Sequence, residues 1–251
     1  MDIERVAYAG VFLVRPGMLM MAAPPFGAAY APAPVRVGLA AILGLAVWPA
    51  AGPPVHGPEV GLTLVIAREL AIGLAIGVAM RALLAGAEMA GHLTSLQIGL
   101  SYGAIIDPQS GVRNNLLASL YGNLALVTFF AIDGHHALIR TLAASYQSMP
   151  VGLGGIDGSL ATSVSTMLGT VFVLGVRFAM PVIAALLVVE LAMGLISRAA
   201  PALNLMVVGV PLRLAVGLLV VIVVLPAMPG VVRRFSTHAV DLGALLAGAF
   251  K

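Results

Sequence analysis

The apolar positions of the chain gather into six long stretches. They lie at residues 6–23, 35–49, 60–84, 116–132, 168–196 and 205–225. A helix needs about 20 apolar residues to cross a bilayer, within a usual range of about 17 to 25. The stretches are rich in Ala and Leu and lack the short alternating segments of a membrane β-barrel. The pattern therefore predicts an all-α, multi-pass membrane-class protein, in which 35–49 is short for a span and 168–196 is long enough to tilt or bend.

Three further segments do not read as simple spans, at 87–103, 135–148 and 231–250. The first mixes polar and apolar residues, the second predicts a short helix that folds back, and the third is amphipathic. The Pro- and Gly-containing segments at 22–27 and 52–58 cannot continue a helix. These features predict helical hairpins rather than plain up-and-down spans.

A Gly-rich loop at residues 148–158 is long enough to divide the chain. We place a domain boundary there, which gives helical regions at 1–157 and 158–251. The first residues lack the positive segment of a secretory signal, so we expect the first apolar stretch to be retained.

The composition of the chain, like the pattern of its apolar positions, indicates a membrane-class protein. The chain is 61% hydrophobic and 9% charged, whereas soluble domains carry about 25% charged residues. Lipid or protein partners must therefore cover much of its apolar surface. The net charge of +3 comes from scattered cations and forms no basic stripe, so nucleic-acid binding is not indicated. Cysteine is absent, which excludes disulfides, thiol catalysis and Cys-based metal sites.

Charged residues inside or at the ends of the apolar stretches carry more information than the net charge. They are Arg15, Arg68, Glu69, Arg81, Arg177, Glu190 and Arg213. A charge at the bilayer centre costs about 2.5–3.5 kcal/mol on insertion scales, so those that cannot reach an interface must face protein or water.

Four prolines interrupt or flank the same stretches, namely Pro16, Pro181, Pro211 and Pro226. Each removes a backbone donor, and in lipid the freed carbonyl needs a partner from a neighbouring element. Together with the charges, these prolines predict a chain built for the interior of an assembly.

The segment from Gly99 to Gly103 matches the GxSxG pattern of a nucleophile elbow, with Asp107 and the histidines at 135 and 136 downstream. The elbow requires a strand-to-helix turn on a hydrolase sheet, and the flanking sequence predicts no sheet. No GxxxxGK phosphate loop occurs either. We therefore predict no enzymatic activity and no cofactor.

The run Asp133-Gly-His135-His136 raises the question of a metal site. Adjacent histidines on a helix point about 100° apart, and no further carboxylate-rich cluster follows. A role at a loop or helix entry is favoured, and no metal site is predicted.

Small residues suggest where a helix could approach closely. Gly73 and Gly77 form a GxxxG pattern, which lets another backbone come near.

Arg81 and Glu88 are seven residues apart and could share a helix face. We expect them to make polar contacts with neighbouring elements.

Several ordered blocks resemble the FliR family of flagellar type III export components. The segment 68–77 is similar to its Glu-Leu-x-x-Gly-x-x-x-Gly stretch, and residues 90–108 contain its Ala-Gly, Gln-x-Gly and Asp-Pro elements. Asp133-Gly-His and the block at 145–152 also fit, as do Arg15, Pro24 and Arg36. The most specific block, 198–213, runs from Arg198 through Pro201, Asn204 and Pro211 to Arg213. There, Ala202, Val210 and Arg213 depart mildly from the family pattern.

The resemblance implies a non-enzymatic channel subunit of the flagellar export gate in the bacterial inner membrane. It implies assembly with FliP and FliQ, with FlhA and FlhB nearby, and passage of unfolded flagellar proteins. The N-terminal region would be FliP-like and the C-terminal region FliQ-like. The channel plug of the family would fall at residues 99–114, and the candidate plug residues are Gly99, Tyr102, Gly103, Ile105, Asp107, Pro108 and Gly111.

Two alternatives remain open at this point. A homologous virulence type III secretion component would have a similar sequence. A small-solute secondary transporter would use intramembrane carboxylates such as Glu69 and Glu190, with helices broken at Pro181 and Pro211. Such a transporter should show inverted repeats, and none is evident between the two halves.

Overall fold

In the computed structural model, regular structure within the described residues is helical throughout, with no strand. The described residues are 3–23, 26, 31–50, 61–100, 116–151, 160–200, 205–227, 229–230 and 233. The helices are α1 (Ile3–Ala22), α2 (Ala33–Val47), α3 (Leu62–Ile98), α4 (Leu116–Ala131), α5 (Gly134–Ser148), α6 (Leu160–Ala199) and α7 (Leu205–Val224). Short 3₁₀ turns follow α2 and α7, at Trp48–Ala50 and Leu225–Ala227. The predicted all-α class is confirmed.

Each of the six apolar stretches falls on a helix, but α3 is longer than hydropathy alone predicts. It continues through most of the mixed segment 87–103 and ends at Ile98. No proline occurs between Leu62 and Ile98, and Ala, Leu and Met, which are strong helix formers, dominate the helix. The polar residues after residue 87 lower the hydropathy of the segment but do not end the helix.

Gly99 terminates α3. Its φ of 93° lies in the left-handed region that glycine adopts without steric cost. The N–H of Leu100 donates to the carbonyl of Ser95 over 3.1 Å, and the N–H of Gly99 donates to that of Leu96 over 3.2 Å. This pair of bonds is a Schellman motif, which uses carbonyls that the end of a helix would leave unpaired.

Several helices are long and apolar enough to cross a membrane. By length and composition, α3, the Ser165–Ala199 part of α6 and the helical segment Val207–Ala227 qualify. Helices α4 and α5 are bent by 69° at a short break and together could form a fourth, broken span. The apolar parts of α1 and α2 are shorter, as hydropathy predicts for α2. These helices support a multi-pass membrane protein.

Contacts divide the chain into two compact units that do not follow sequence order. The first comprises Met1–Leu83, Phe129–Gly169 and Arg233–Lys251, and the second comprises Leu84–Thr128 and Thr170–Val232. The boundary predicted between residues 157 and 158 lies outside the described residues and stays a prediction.

The first unit is organised around α1. Its fully buried side chains come from α1, from the first half of α3, and from α5 with the residue that follows it. They include Arg15, Phe12, Leu19, Ile72, Ile76, Leu138, Leu142, Tyr146 and Met149. A charged residue thus lies among the most buried side chains of this unit.

The second unit packs small residues closely and leaves much apolar surface open. A Cβ added at Gly91 would come within 2.5 Å of the Leu117 carbonyl oxygen, so α3 and α4 meet backbone to backbone. By contrast, only 33% of the most apolar window of α6 and 17% of that of α7 are buried. These two helices depend on lipid or on other proteins to cover them.

Candidate functional site

The site begins with a proline next to an arginine on α1. Pro16 lies inside the helix, and because it has no N–H, it cannot donate to the carbonyl of Phe12 one turn earlier. The hydroxyl of Tyr146 on α5 donates to that carbonyl over 2.8 Å. A side chain distant in sequence thus occupies the acceptor that Pro16 leaves free.

Arg15 binds Glu69 of α3 through two hydrogen bonds. Its Nε donates to Oε2 over 2.7 Å, and its Nη2 donates to Oε1 over 3.0 Å. Both side chains have 0% relative exposure. The paired, nearly parallel bonds match the planar guanidinium to the planar carboxylate, which is the strongest geometry available to an Arg–carboxylate pair.

The remaining contacts of Arg15 reach the C-terminal end of α5. Its Nη1 donates to Ser145 Oγ over 2.9 Å, and its Nη2 donates to the carbonyl of Met149 over 3.0 Å. Its Cζ lies 4.1 Å from the centroid of the Tyr146 ring, a cation–π distance. We call Arg15, Glu69, Ser145, Tyr146 and Met149 the Arg15 cluster.

Gly73 and Gly77 allow α3 to come close enough to α1 for the Arg15–Glu69 contact. They follow Glu69 at intervals of four residues and so share its helix face. A Cβ at Gly73 would lie 2.5 Å from the carbonyl oxygen of Arg15, and a Cβ at Gly77 would lie 2.5 Å from the Cβ of Ala22. The GxxxG pattern thus meets α1 of the same chain.

Aromatic contacts extend the cluster to the 3₁₀ turn after α2. Phe12 stacks on Tyr146 with ring centroids 4.4 Å apart, and it meets Trp48 edge to face with centroids 4.9 Å apart. Such pairs add about 0.5–1.5 kcal/mol beyond their buried area. The cluster and its aromatic neighbours therefore connect α1, α3, α5 and the turn after α2.

The chemistry of the cluster is that of a fixed structural contact. A guanidinium stays protonated in proteins, so it is a poor proton carrier. Both oxygens of Glu69 accept bonds from Arg15, and both groups are shielded from water. Removing one partner of such a pair would leave an uncompensated buried charge, which typically costs about 3–5 kcal/mol.

The second unit contains another ion pair, between Arg213 and Glu190, two of the charged residues noted in the apolar stretches. Arg213 Nη2 lies 3.6 Å from Glu190 Oε1, and the two side chains are 34% and 45% exposed. This is a long, partly exposed contact, weak compared with the Arg15–Glu69 pair. Pro211 lies inside α7 two residues before Arg213, and Arg198 is exposed in the last turn of α6.

Arg81 and Glu88 are both exposed on α3. Glu88 lies against Gly122 of α4, where an added Cβ would come within 2.9 Å of Glu88 Cγ. Polar contacts of Arg81 with neighbouring elements stay a prediction.

Most of the predicted plug, and two predicted assembly residues, lie outside the described residues. They are Tyr102, Gly103, Ile105, Asp107, Pro108, Gly111, Pro201 and Asn204. Gly99 is the described member of the plug set, at the end of α3.

The Asp133-Gly-His135-His136 run forms the entry to α5. Asp133 has a φ of 59°, and its carbonyl accepts from the N–H groups of His136 and Ala137 over 3.0 and 3.3 Å. One ligand-type atom from each of Asp133, His135 and His136 lies within 4.8 Å of the others. His136 Nδ1 is 3.2 Å from Asp133 Oδ1 in a pair that is mostly exposed to solvent. The backbone bonds fit the helix-entry role.

Tyr146→Phe tests whether the Phe12 carbonyl depends on the Tyr146 hydroxyl. The variant keeps the ring, and with it the stacking and cation–π contacts, but leaves a buried carbonyl unpaired. We expect a loss of about 1–3 kcal/mol, seen as a lower thermal unfolding midpoint of the detergent-solubilised protein, purified together with the partner subunits that the family resemblance implies.

Ser197→Ala is the control, because it removes an exposed hydroxyl that donates to Gly194 within α6. Its effect should stay within about 0.5 kcal/mol. An unchanged midpoint in Tyr146→Phe would show that the Phe12 carbonyl is satisfied without this hydroxyl.

Comparison with known proteins places the chain in a family. Residues 6–239 match the family model described as "Bacterial export proteins, family 1". The chain is 31% identical to the flagellar biosynthetic protein FliR of Escherichia coli K12, over 85% of this chain and 82% of that protein. It is 31% identical to FliR of Pectobacterium carotovorum, over 83% and 80%, and 29% identical to FliR of Bacillus subtilis, over 91% and 90%. The chain therefore belongs to the bacterial export proteins of family 1, as a member of the FliR family.

Proposed function

We propose that this protein is a structural channel subunit of the flagellar type III export gate in the bacterial inner membrane. It would help form the path by which unfolded flagellar proteins cross that membrane. Family membership and the names of its relatives support a role in flagellar export. Two observations carry the structural part: the first unit contains a buried, charge-paired hub, and the apolar helices α6 and α7 are largely uncovered.

The exposed charges on α6 and α7 favour protein partners over lipid as the cover for these helices. Arg177 is exposed on α6, and Glu190 and Arg213 are partly exposed. Large apolar side chains such as Leu187 and Ile222 are exposed on the same helices. Lipid tails would suit the apolar residues but not the charges. A neighbouring subunit or a water-filled path can accommodate both.

The partners implied by the family resemblance are FliP and FliQ, with FlhA and FlhB nearby. The α6 and α7 surfaces are where we propose that such subunits pack. Their exposed charges would then pair across subunits or face the channel.

The same contacts argue against a small-solute transporter. A transporter would need an intramembrane carboxylate free to bind its solute or ion. Glu69 is instead held by two bonds from Arg15, and Glu190 lies near Arg213. The relatives compared above are flagellar proteins, which favours the flagellar system over a virulence secretion system.

A non-enzymatic role is part of the proposal. Gly99, the first residue of the GxSxG match, follows the helix α3. A nucleophile elbow follows a strand, so this match does not have the structural setting of a hydrolase.

Co-expression tests the assembly. We expect the chain to aggregate or be degraded when produced alone, and to purify as a monodisperse complex when produced with FliP and FliQ. Leu187→Glu should lower the yield of that complex, because it adds a charge to the exposed apolar face of α6. The control Gln147→Glu, at an exposed polar position of α5, should not. Size-exclusion chromatography with mass determination reads out both.

A chain that is monodisperse alone and binds a small solute would contradict the gate role. Equal complex yields for Leu187→Glu and wild type would show that this face of α6 does not contact a partner.

We also propose that the segment 99–114 closes the channel at rest. Its support is the family resemblance and the left-handed Gly99, which ends α3 at the start of this segment. Replacing residues 102–111 by a Gly/Ser segment of equal length should leave assembly intact but let small ions leak through the membrane. Ion flux into vesicles containing the purified complex measures this.

The same replacement at 52–58 is the control and should leave the membrane tight. If the 102–111 replacement is as tight as wild type and exports normally, the segment is only a connector.

A further inference from the structure

Helices α1 and α2 enclose an apolar groove that the proposed function does not use. Its volume is about 260 Å³, and Leu13 and Gly17 of α1 and Val37 and Ala40 of α2 are among its lining residues. Among the described residues that line it, Arg36 is the one with a charge. The described lining therefore offers an apolar surface with one cationic group.

Arg36 has an unused donor at this groove. Its Nε is buried and has no hydrogen-bond partner among the described residues. A buried guanidinium donor left unpaired is costly, and Arg36 as a residue is partly exposed, so an acceptor from outside the chain would stabilise the group once the side chain turns its Nε towards it. Carboxylate and phosphate oxygens are the acceptors that suit a guanidinium best.

The start of α2 adds to the positive potential at Arg36. The helix begins at Ala33, its N-cap residue Pro32 makes no side-chain capping bond, and the first turn contains no acidic residue. The helix dipole favours an anion at such an end, although Pro34 has no N–H, so that only Ala33 and Val35 bring backbone donors there. Arg36 lies within this first turn, so two independent sources of positive charge meet at one place beside the groove.

The rest of α2 presents an apolar exterior. Val37 is 69% exposed, Ile42 64% and Leu45 70%. In a protein with membrane-spanning helices, lipid can reach an element with this surface. A groove open to acyl chains with an anion site at one end matches the two parts of a phospholipid.

We infer that the α1–α2 groove binds an anionic phospholipid, with an acyl chain between the helices and the headgroup phosphate on Arg36 and the start of α2. A zwitterionic phospholipid carries the same phosphate beside a fixed cation, which the guanidinium and the helix end would repel. Lipids with net negative charge should therefore be preferred.

The chain supplies two matched pairs of variants for the test. Arg36→Gln removes the cation, and Arg140→Gln removes an exposed arginine of α5 as a charge-matched control. Gly17→Leu places a side chain in the groove, because Gly17 lines the groove and a Cβ there would meet nothing within 4 Å. Gly38→Leu makes the same change at another open helical glycine, which does not line the groove.

The experiment uses the full chain, co-purified with its partner subunits and placed in phosphatidylcholine vesicles. The probe is a trace of phosphatidylglycerol with a photoactivatable acyl chain, and peptide mass spectrometry locates the cross-links. We expect labelling of residues 13–41 to fall about tenfold in Arg36→Gln, the order of effect of losing a hydrogen bond to a charged group. Gly17→Leu should lose the labelling as well, while Arg140→Gln and Gly38→Leu keep it.

Three results would overturn the inference. One is undiminished labelling in Arg36→Gln or Gly17→Leu. Another is labelling by a photoactivatable phosphatidylcholine equal to that by phosphatidylglycerol. The third is cross-linking of the groove to a partner polypeptide in place of lipid. Complex yield, measured for every variant, separates lost binding from lost assembly: if Arg36→Gln does not assemble, Gly17→Leu alone decides.

Discussion

The ion pair between Arg15 and Glu69 is the interaction on which the first unit depends. Both charges are fully buried, so neither can be left without the other. In an apolar medium, contacts between aliphatic side chains distinguish poorly between one helix register and another, and hydrogen-bonded polar pairs supply that discrimination. The pair fixes α3 against α1, and the bonds from Arg15 to Ser145 and Met149 fix the end of α5 against both.

Three local features make this pair possible. Pro16 frees a carbonyl that Tyr146 then occupies, which brings α5 to the same turn of α1 as Arg15. Gly73 removes the side chain that would otherwise keep α3 away from the Arg15 backbone. Glu69 lies one helical turn from Gly73 and so reaches the guanidinium. The result is a locally self-sufficient hub in a chain whose α6 and α7 are not self-sufficient, as expected of a subunit that folds into an assembly.

Hydropathy located the helices, because each buried or lipid-facing helix needs a long apolar run. It set the end of the third stretch too early, since the polar residues after residue 87 lower hydropathy without breaking α3, which ends where Gly99 adopts a left-handed conformation. Arg15, Glu69, Gly73 and Gly77 could be singled out from the sequence as unusual residues in apolar stretches. Their partners could not, because Ser145 and Met149 lie more than a hundred residues from Arg15, and no local pattern encodes such a contact. The adjacent Arg15 and Pro16 are the one local indication of such partners. A buried arginine needs an acidic partner, and the carbonyl that the proline leaves unpaired needs a hydrogen-bond donor.

A double-mutant cycle on Arg15→Met and Glu69→Leu tests the central role of the ion pair most directly. Thermal unfolding midpoints and complex yields would be measured for wild type, both single variants and the double variant. Each single change should cost about 3–5 kcal/mol by leaving a buried charge unpaired, and the double variant should lose clearly less than the sum. Additive losses, or single variants as stable as wild type, would show that the two charges are not coupled and that another interaction organises the first unit.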